Sequence, residues 1–76
     1  MEKLIKILIF DDAWQADLLE NILSEREIPY MIKSYHDSAL DGLFQMQKGW
    51  GHLEAPGQFR NEILEIFQKI KKDNAG

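Results

Sequence analysis

The chain has 76 residues and no cysteine, is 45% hydrophobic and 29% charged, and carries a formal charge of −4. This length admits one domain spanning 1–76, the missing cysteine excludes a disulfide framework or a cysteine-held metal knuckle, and the apolar content excludes a disordered chain. The acidic balance opposes phosphate backbones, and no apolar run approaches the roughly 20 residues of a membrane helix, so neither nucleic acid nor membrane is an expected partner.

A domain this small buries only about 60% of the surface its unfolded chain exposes. With disulfides excluded, oligomerisation is the common remaining support.

Leu4 to Phe10 is rich in β-branched residues and too short for a typical helix, which predicts a first strand. Lys6 interrupts it, and Asp11 and Asp12 follow it without a small-residue cleavage site, so it does not read as a secretory leader and the cytoplasm is the expected compartment. Asp12 stands three residues before Gln15, the spacing of a capping box, and opens a helix over Ala13 to Arg26 with an apolar face of Trp14, Leu18, Leu19, Ile22 and Leu23. Trp14, as the first apolar position, is expected in the core. Pro29 punctuates the helix exit, and Tyr30 to Tyr35 reads as a second strand.

The connection from Tyr35 to Trp50 is long for so small a domain. A helical turn is expected within it, capped by Asp37 or Ser38 and carrying Leu40, Leu43 and Phe44 on one face. Trp50 to Ala55 forms a short third strand ended by Pro56 and Gly57. Phe59, Ile63, Ile66, Phe67 and Ile70 then recur at helical spacing to about Lys72, with Glu65 and Lys69 paired outside and 73–76 as a frayed tail.

The order β, α, β, β, α is that of an α+β ferredoxin-like sandwich without its last strand: a three-stranded antiparallel sheet with two helices on one face. Losing that strand bares the first one, an apolar edge that another copy or the tail is expected to cover.

Strict alternation turns Ile5, Ile7 and Ile9 toward the helices, joined by Ile32 and Leu53. Leu8, Phe10, Met31, Tyr35 and Trp50 are then left on the opposite face with Lys33, His52 and Glu54. Each of those five large side chains is worth about 1.5–3 kcal/mol when buried. Association costs about 4–15 kcal/mol, so two facing stripes outweigh it and a homodimer or higher homo-oligomer is expected.

The polar residues with chemical potential are His36, Asp37, Asp41 and His52, near Trp50, whose neighbours Gly49 and Gly51 permit close approach of a backbone or ligand. They read as a ligand-binding group of a non-catalytic binding or signalling module with a small-molecule or protein partner. No cofactor, metal or enzymatic activity is expected, since no nucleophile-and-base motif, phosphate loop or metal-ligand spacing is present. The alternatives are a metal-dependent enzyme or metal sensor built on His36, Asp37, Asp41 and His52, and an RNA-binding module. Against the second, Gly-Trp-Gly-His-Leu-Glu does not match the basic-aromatic strand such modules use.

The run Asp12-Ala-Trp-Gln-Ala-Asp-Leu-Leu-Glu-Asn-Ile-Leu-Ser-Glu-Arg-Glu-Ile-Pro-Tyr resembles the opening of a family of small prokaryotic signal-transducing proteins of undetermined role. Glu27 stands where that family's Gly-Ile-Pro pattern has glycine. Gly49 to Pro56 is similar to its third strand and Ile63-Leu64 to its closing helix, so the likeness spans about residues 4–70. It implies a bacterial protein with a fold grouped with the nitrogen-regulatory signal proteins, oligomers that bind small effectors at subunit boundaries. It assigns no catalytic residue.

Overall fold

The computed structural model describes residues 3–35 and 49–75. His36, Asp37 and Asp41, and the expected turn carrying Leu40, Leu43 and Phe44, lie outside the described residues.

The elements are β1 (Leu4–Phe10), α1 (Ala13–Glu25), β2 (Met31–Ser34), β3 (Gly51–Pro56), a short 3-10 turn (Gly57–Phe59) and α2 (Arg60–Ala75). Both β1 and β2 pair antiparallel with β3, giving the order β1-β3-β2. The result is the ferredoxin-like α+β sandwich without its last strand. Helix α2 continues to Ala75, three residues beyond the sequence expectation. No helix among the described residues is long and apolar enough to cross a membrane.

Helix α1 begins as its capping residues dictate. The Asp12 carboxylate accepts from the Gln15 amide at 3.0 Å, and the Gln15 side chain reaches back to accept from the Asp11 N–H at 2.8 Å. The side-chain carbonyl of Gln15 thereby satisfies a chain-entry donor, which explains why a glutamine only 4% exposed is tolerated.

The helix ends in a Schellman motif. Ile28 N–H donates to the Leu23 carbonyl at 3.0 Å and Glu27 N–H to the Ser24 carbonyl at 3.2 Å, with Glu27 in the left-handed region at φ 58°. Leu23 and Ile28, the apolar pair that accompanies this motif, are both buried in the core.

The core lies between the sheet and the helices. Leu8, Phe10, Leu53 and Ala55 from the strands meet Ala16, Leu19 and Leu23 of α1 and Ile63, Ile66, Phe67 and Ile70 of α2. An edge-on aromatic column runs through it, Phe67 to Phe10 at 5.7 Å and Phe10 to Trp50 at 6.3 Å. Outside, Arg26, the C-cap of α1, pairs with Glu62 of α2 at 3.0 Å. Glu65 and Lys69 are both exposed, and among the described residues α2 makes its ion pair with Arg26 instead.

The facing of β1 departs from simple alternation. Lys6 lies opposite Glu54 and Leu8 opposite Leu53, so Ile7 is an extra residue and the strand carries a β-bulge. A bulge shifts the side-chain phase by one. Before it Ile5 faces the helices; after it Leu8 and Phe10 do, opposite Leu53 and Gly51.

Phe10 is therefore fully buried and Leu8 9% exposed, whereas Ile9 is 42% exposed on the far face. This corrects the expectation that Ile9 packs under the helices and that Leu8 and Phe10 form an outward stripe. Ile7 is buried as expected, while Ile5, though on the helical side, is 37% exposed near the 3-10 turn at the sheet's end. Trp14 is likewise corrected: it is 47% exposed, because the buried line of α1 runs through Gln15, Ala16, Leu19 and Leu23 and leaves Trp14 on its flank.

Candidate functional site

On the sheet face turned away from the helices, β2 and β3 present alternate residues to each other. Lys33 lies opposite His52 and Met31 opposite Glu54, while Ile9 of β1 flanks His52 from the other side. Tyr35 follows β2 in the same phase, held by its N–H donating to the Trp50 carbonyl at 2.9 Å.

These positions assemble a continuous polar row. The Tyr35 hydroxyl is 3.1 Å from His52 Nδ1, His52 Nε2 is 2.8 Å from Glu54 Oε2, and the Lys33 ammonium is 3.5 Å from the same carboxylate oxygen. A carboxylate only accepts, so His52 donates to Glu54 from Nε2, and its Nδ1 pairs with the Tyr35 hydroxyl. The hydrogen bond from His52, supported by the charge of Lys33, holds the Glu54 carboxyl below its ordinary value against the opposing effect of partial burial.

Except at its Lys33 end, where the side chain is 57% exposed, the row is shielded. Tyr35 is 7% exposed, and the His52 and Glu54 side chains are 13% and 20% exposed, but Ile9 and Met31 beside them are 42% and 44% exposed. Among the described residues no buried side-chain nitrogen or oxygen lacks a hydrogen-bond partner.

The glycines flanking Trp50 serve the chain's own backbone. A Cβ on Gly51 would collide with the Lys33 carbonyl oxygen, and one on Gly49, at φ 92°, would stand 2.8 Å from the Phe10 carbonyl oxygen. The close approach expected around Trp50 is thus that of β1 and β2. Trp50 itself is half-buried, edge-on to Phe10, so its ring belongs to the core margin rather than to the outward stripe expected for it.

Of the residues singled out from sequence, His52, Tyr35 and Met31 come together here, Trp50 abuts the core, and Leu8 and Phe10 are inside it. His36, Asp37 and Asp41 lie outside the described residues. Lys33 and Glu54 are placed on His52's face by alternation along each strand, but are not assigned to the ligand-binding group from sequence. Among the described residues no group of three or more acidic, histidine or cysteine side chains could hold a metal ion. Both ring nitrogens of His52 are engaged, so ligating a metal would forfeit one of its hydrogen bonds.

Hydroxyl, imidazole and carboxylate in series resemble the order of a nucleophilic triad. The hydroxyl here is a phenol with almost no exposed surface, which gives a substrate carbonyl little access to it. A recess of about 510 Å³ lies elsewhere, along the outer surface of α2, lined by Glu65, Gln68, Lys69, Lys71 and Lys72. All five come from one helix, so among the described residues it has no opposing wall.

Comparison with known proteins finds no matching family model, no similar curated protein and no similar solved structure.

Proposed function

We propose that this chain is a non-catalytic, self-associating binding module that contacts a small ligand or a protein through the sheet face opposite its helices. The observation that carries the reading is the shielded row Tyr35–His52–Glu54, closed by the exposed Lys33, with exposed Ile9 and Met31 beside it. Oriented polar groups set among apolar ones are the composition of a recognition surface. Rigid hydrogen bonding along the row keeps its donors and acceptors in fixed positions, which lowers the ordering cost of binding. The resemblance to small prokaryotic signal-transducing proteins points the same way, toward effector sensing in a cytoplasmic oligomer.

The test is thermal-shift screening of a metabolite library, followed by chemical-shift mapping of each hit on the ¹⁵N-labelled chain. Hits are expected to move the amides of Lys33, Tyr35, His52 and Glu54 and to be lost in His52→Ala. Hits that move only α1 and α2 would refute the assignment of this face.

A further inference from the structure

We propose that the self-association suggested above is made by β1, whose outer edge pairs antiparallel with β1 of a second copy, Lys6 opposite Ile9 on both sides of the two-fold axis. The inference rests on that self-association and replaces the face-to-face contact that the sequence suggested, since Leu8 and Phe10 are now known to be interior.

Among the described residues β1 pairs only with β3, so its other edge carries backbone donors and acceptors along seven residues with a single charge, Lys6. Long apolar edges of this kind are templates for another strand. Two of the four exposed large hydrophobic side chains of the molecule's described part, Ile5 and Ile9, stand on this one strand.

Charge selects a second copy as the occupant. Lys3 and Lys6 lie at the N-terminal end of β1, and Asp11 and Asp12 immediately follow its C-terminal end. Antiparallel pairing of two copies sets the basic end of each against the acidic end of the other, whereas a parallel arrangement would oppose like charges.

The bulge then selects the register. In a strand, residues that share a face also direct their peptide groups to the same side, so paired residues must match in facing. Leu4, Lys6 and Ile9 share the face away from the helices, and Ile5, Leu8 and Phe10 share the other. Pairing Lys6 with Ile9 of the second copy matches these facings, bringing Ile5 opposite Phe10 and the buried Ile7 opposite Leu8 at the two-fold axis, with Asp11 and Asp12 just beyond the ladder, beside Leu4 and Lys3 of the other copy. A register shifted by one residue would put Leu4 opposite Phe10 on the wrong face. The two sheets would merge into one of six strands, with both polar rows on the same continuous surface. Ile9 of each copy would lie against the aliphatic stem of the other's Lys6.

The chain has no cysteine of its own, which allows a clean test. Light scattering of the intact chain at tens of micromolar is expected to give a dimer. Lys6→Cys and Ile9→Cys, each made singly and checked by circular dichroism, are expected to form a covalent dimer when mixed and oxidised, and not when either is oxidised alone, because only the mixed pair sits directly across the ladder. Independently, Lys3→Glu should weaken the dimer by roughly tenfold at low salt, because it sets like charges against Asp12 at two symmetry-related contacts, and the difference should shrink at high salt. A monomeric intact chain would overturn both this inference and the proposed self-association. A dimer that lacks the mixed cross-link and ignores Lys3→Glu would overturn the edge pairing alone and leave the binding face standing.

Discussion

At Glu27 the chain leaves α1 with φ 58°, the left-handed conformation in which a Cβ crowds the following carbonyl oxygen. Holding a non-glycine residue there costs about 1–2 kcal/mol. Glycine would remove that cost but would enter folding with a freer unfolded chain, which offsets about 0.4–1 kcal/mol of the gain. Glu27 is exposed, and among the described residues its side chain forms no hydrogen bond or ion pair. Glu27→Gly is therefore expected to stabilise the fold by about 0.5–1 kcal/mol, a rise in Tm of roughly 3–6 °C for a domain of this size. Thermal and urea unfolding followed by circular dichroism measure it directly. Glu27→Ala is the control, because alanine removes the charge and keeps the strain, and it should show little of the gain. A glycine variant no more stable than the alanine variant would show that the turn is not strained as described.

The corrected facing of β1 predicts opposite outcomes for neighbouring residues: Phe10→Ala should cost about 3–5 kcal/mol and Ile9→Ala under about 1 kcal/mol, and urea midpoints in the reverse order would remove the bulge. Gly51→Ala places a methyl against the Lys33 carbonyl oxygen and the Ser34 Cα, so β2 must separate from β3 at a cost of about 1–3 kcal/mol. Amide exchange over Met31 to Ser34 should quicken accordingly, and unchanged exchange would contradict the pairing. The Glu54 carboxyl titrates in the folded state below its ordinary 4.5. Its pairing therefore contributes stability that is present above that value and is lost as the pH falls below it, through the folded-state value. Glu54→Gln should flatten this part of the acid limb of Tm against pH, and a limb of unchanged slope would show that the His52 contact contributes nothing.

Much of the architecture was legible because it is written locally. The β-branched run of β1, the Asp12 cap, the Pro29 stop and the spacing of Ile63, Ile66, Phe67 and Ile70 are each satisfied within a few residues, and each element appears where those signals put it. The far-face row was half legible for the same reason: period-two alternation places Lys33 and Tyr35 on one strand and His52 and Glu54 on the other, facing the same way. Which of them bond to one another depends on the register between β2 and β3, and no single strand contains that information.

The sequence by itself determined the elements, their order and the sandwich they form, because hydrophobic period and capping act over one turn or one strand. Only the tertiary structure decided which side of β1 is inside. Ile7 is extra only relative to the β3 residues opposite it, and that single insertion carries Leu8 and Phe10 into the core and Ile9 out of it. It likewise decided that Trp14 lies on the flank of α1, since helical periodicity defines a stripe but the packing partner selects its centre.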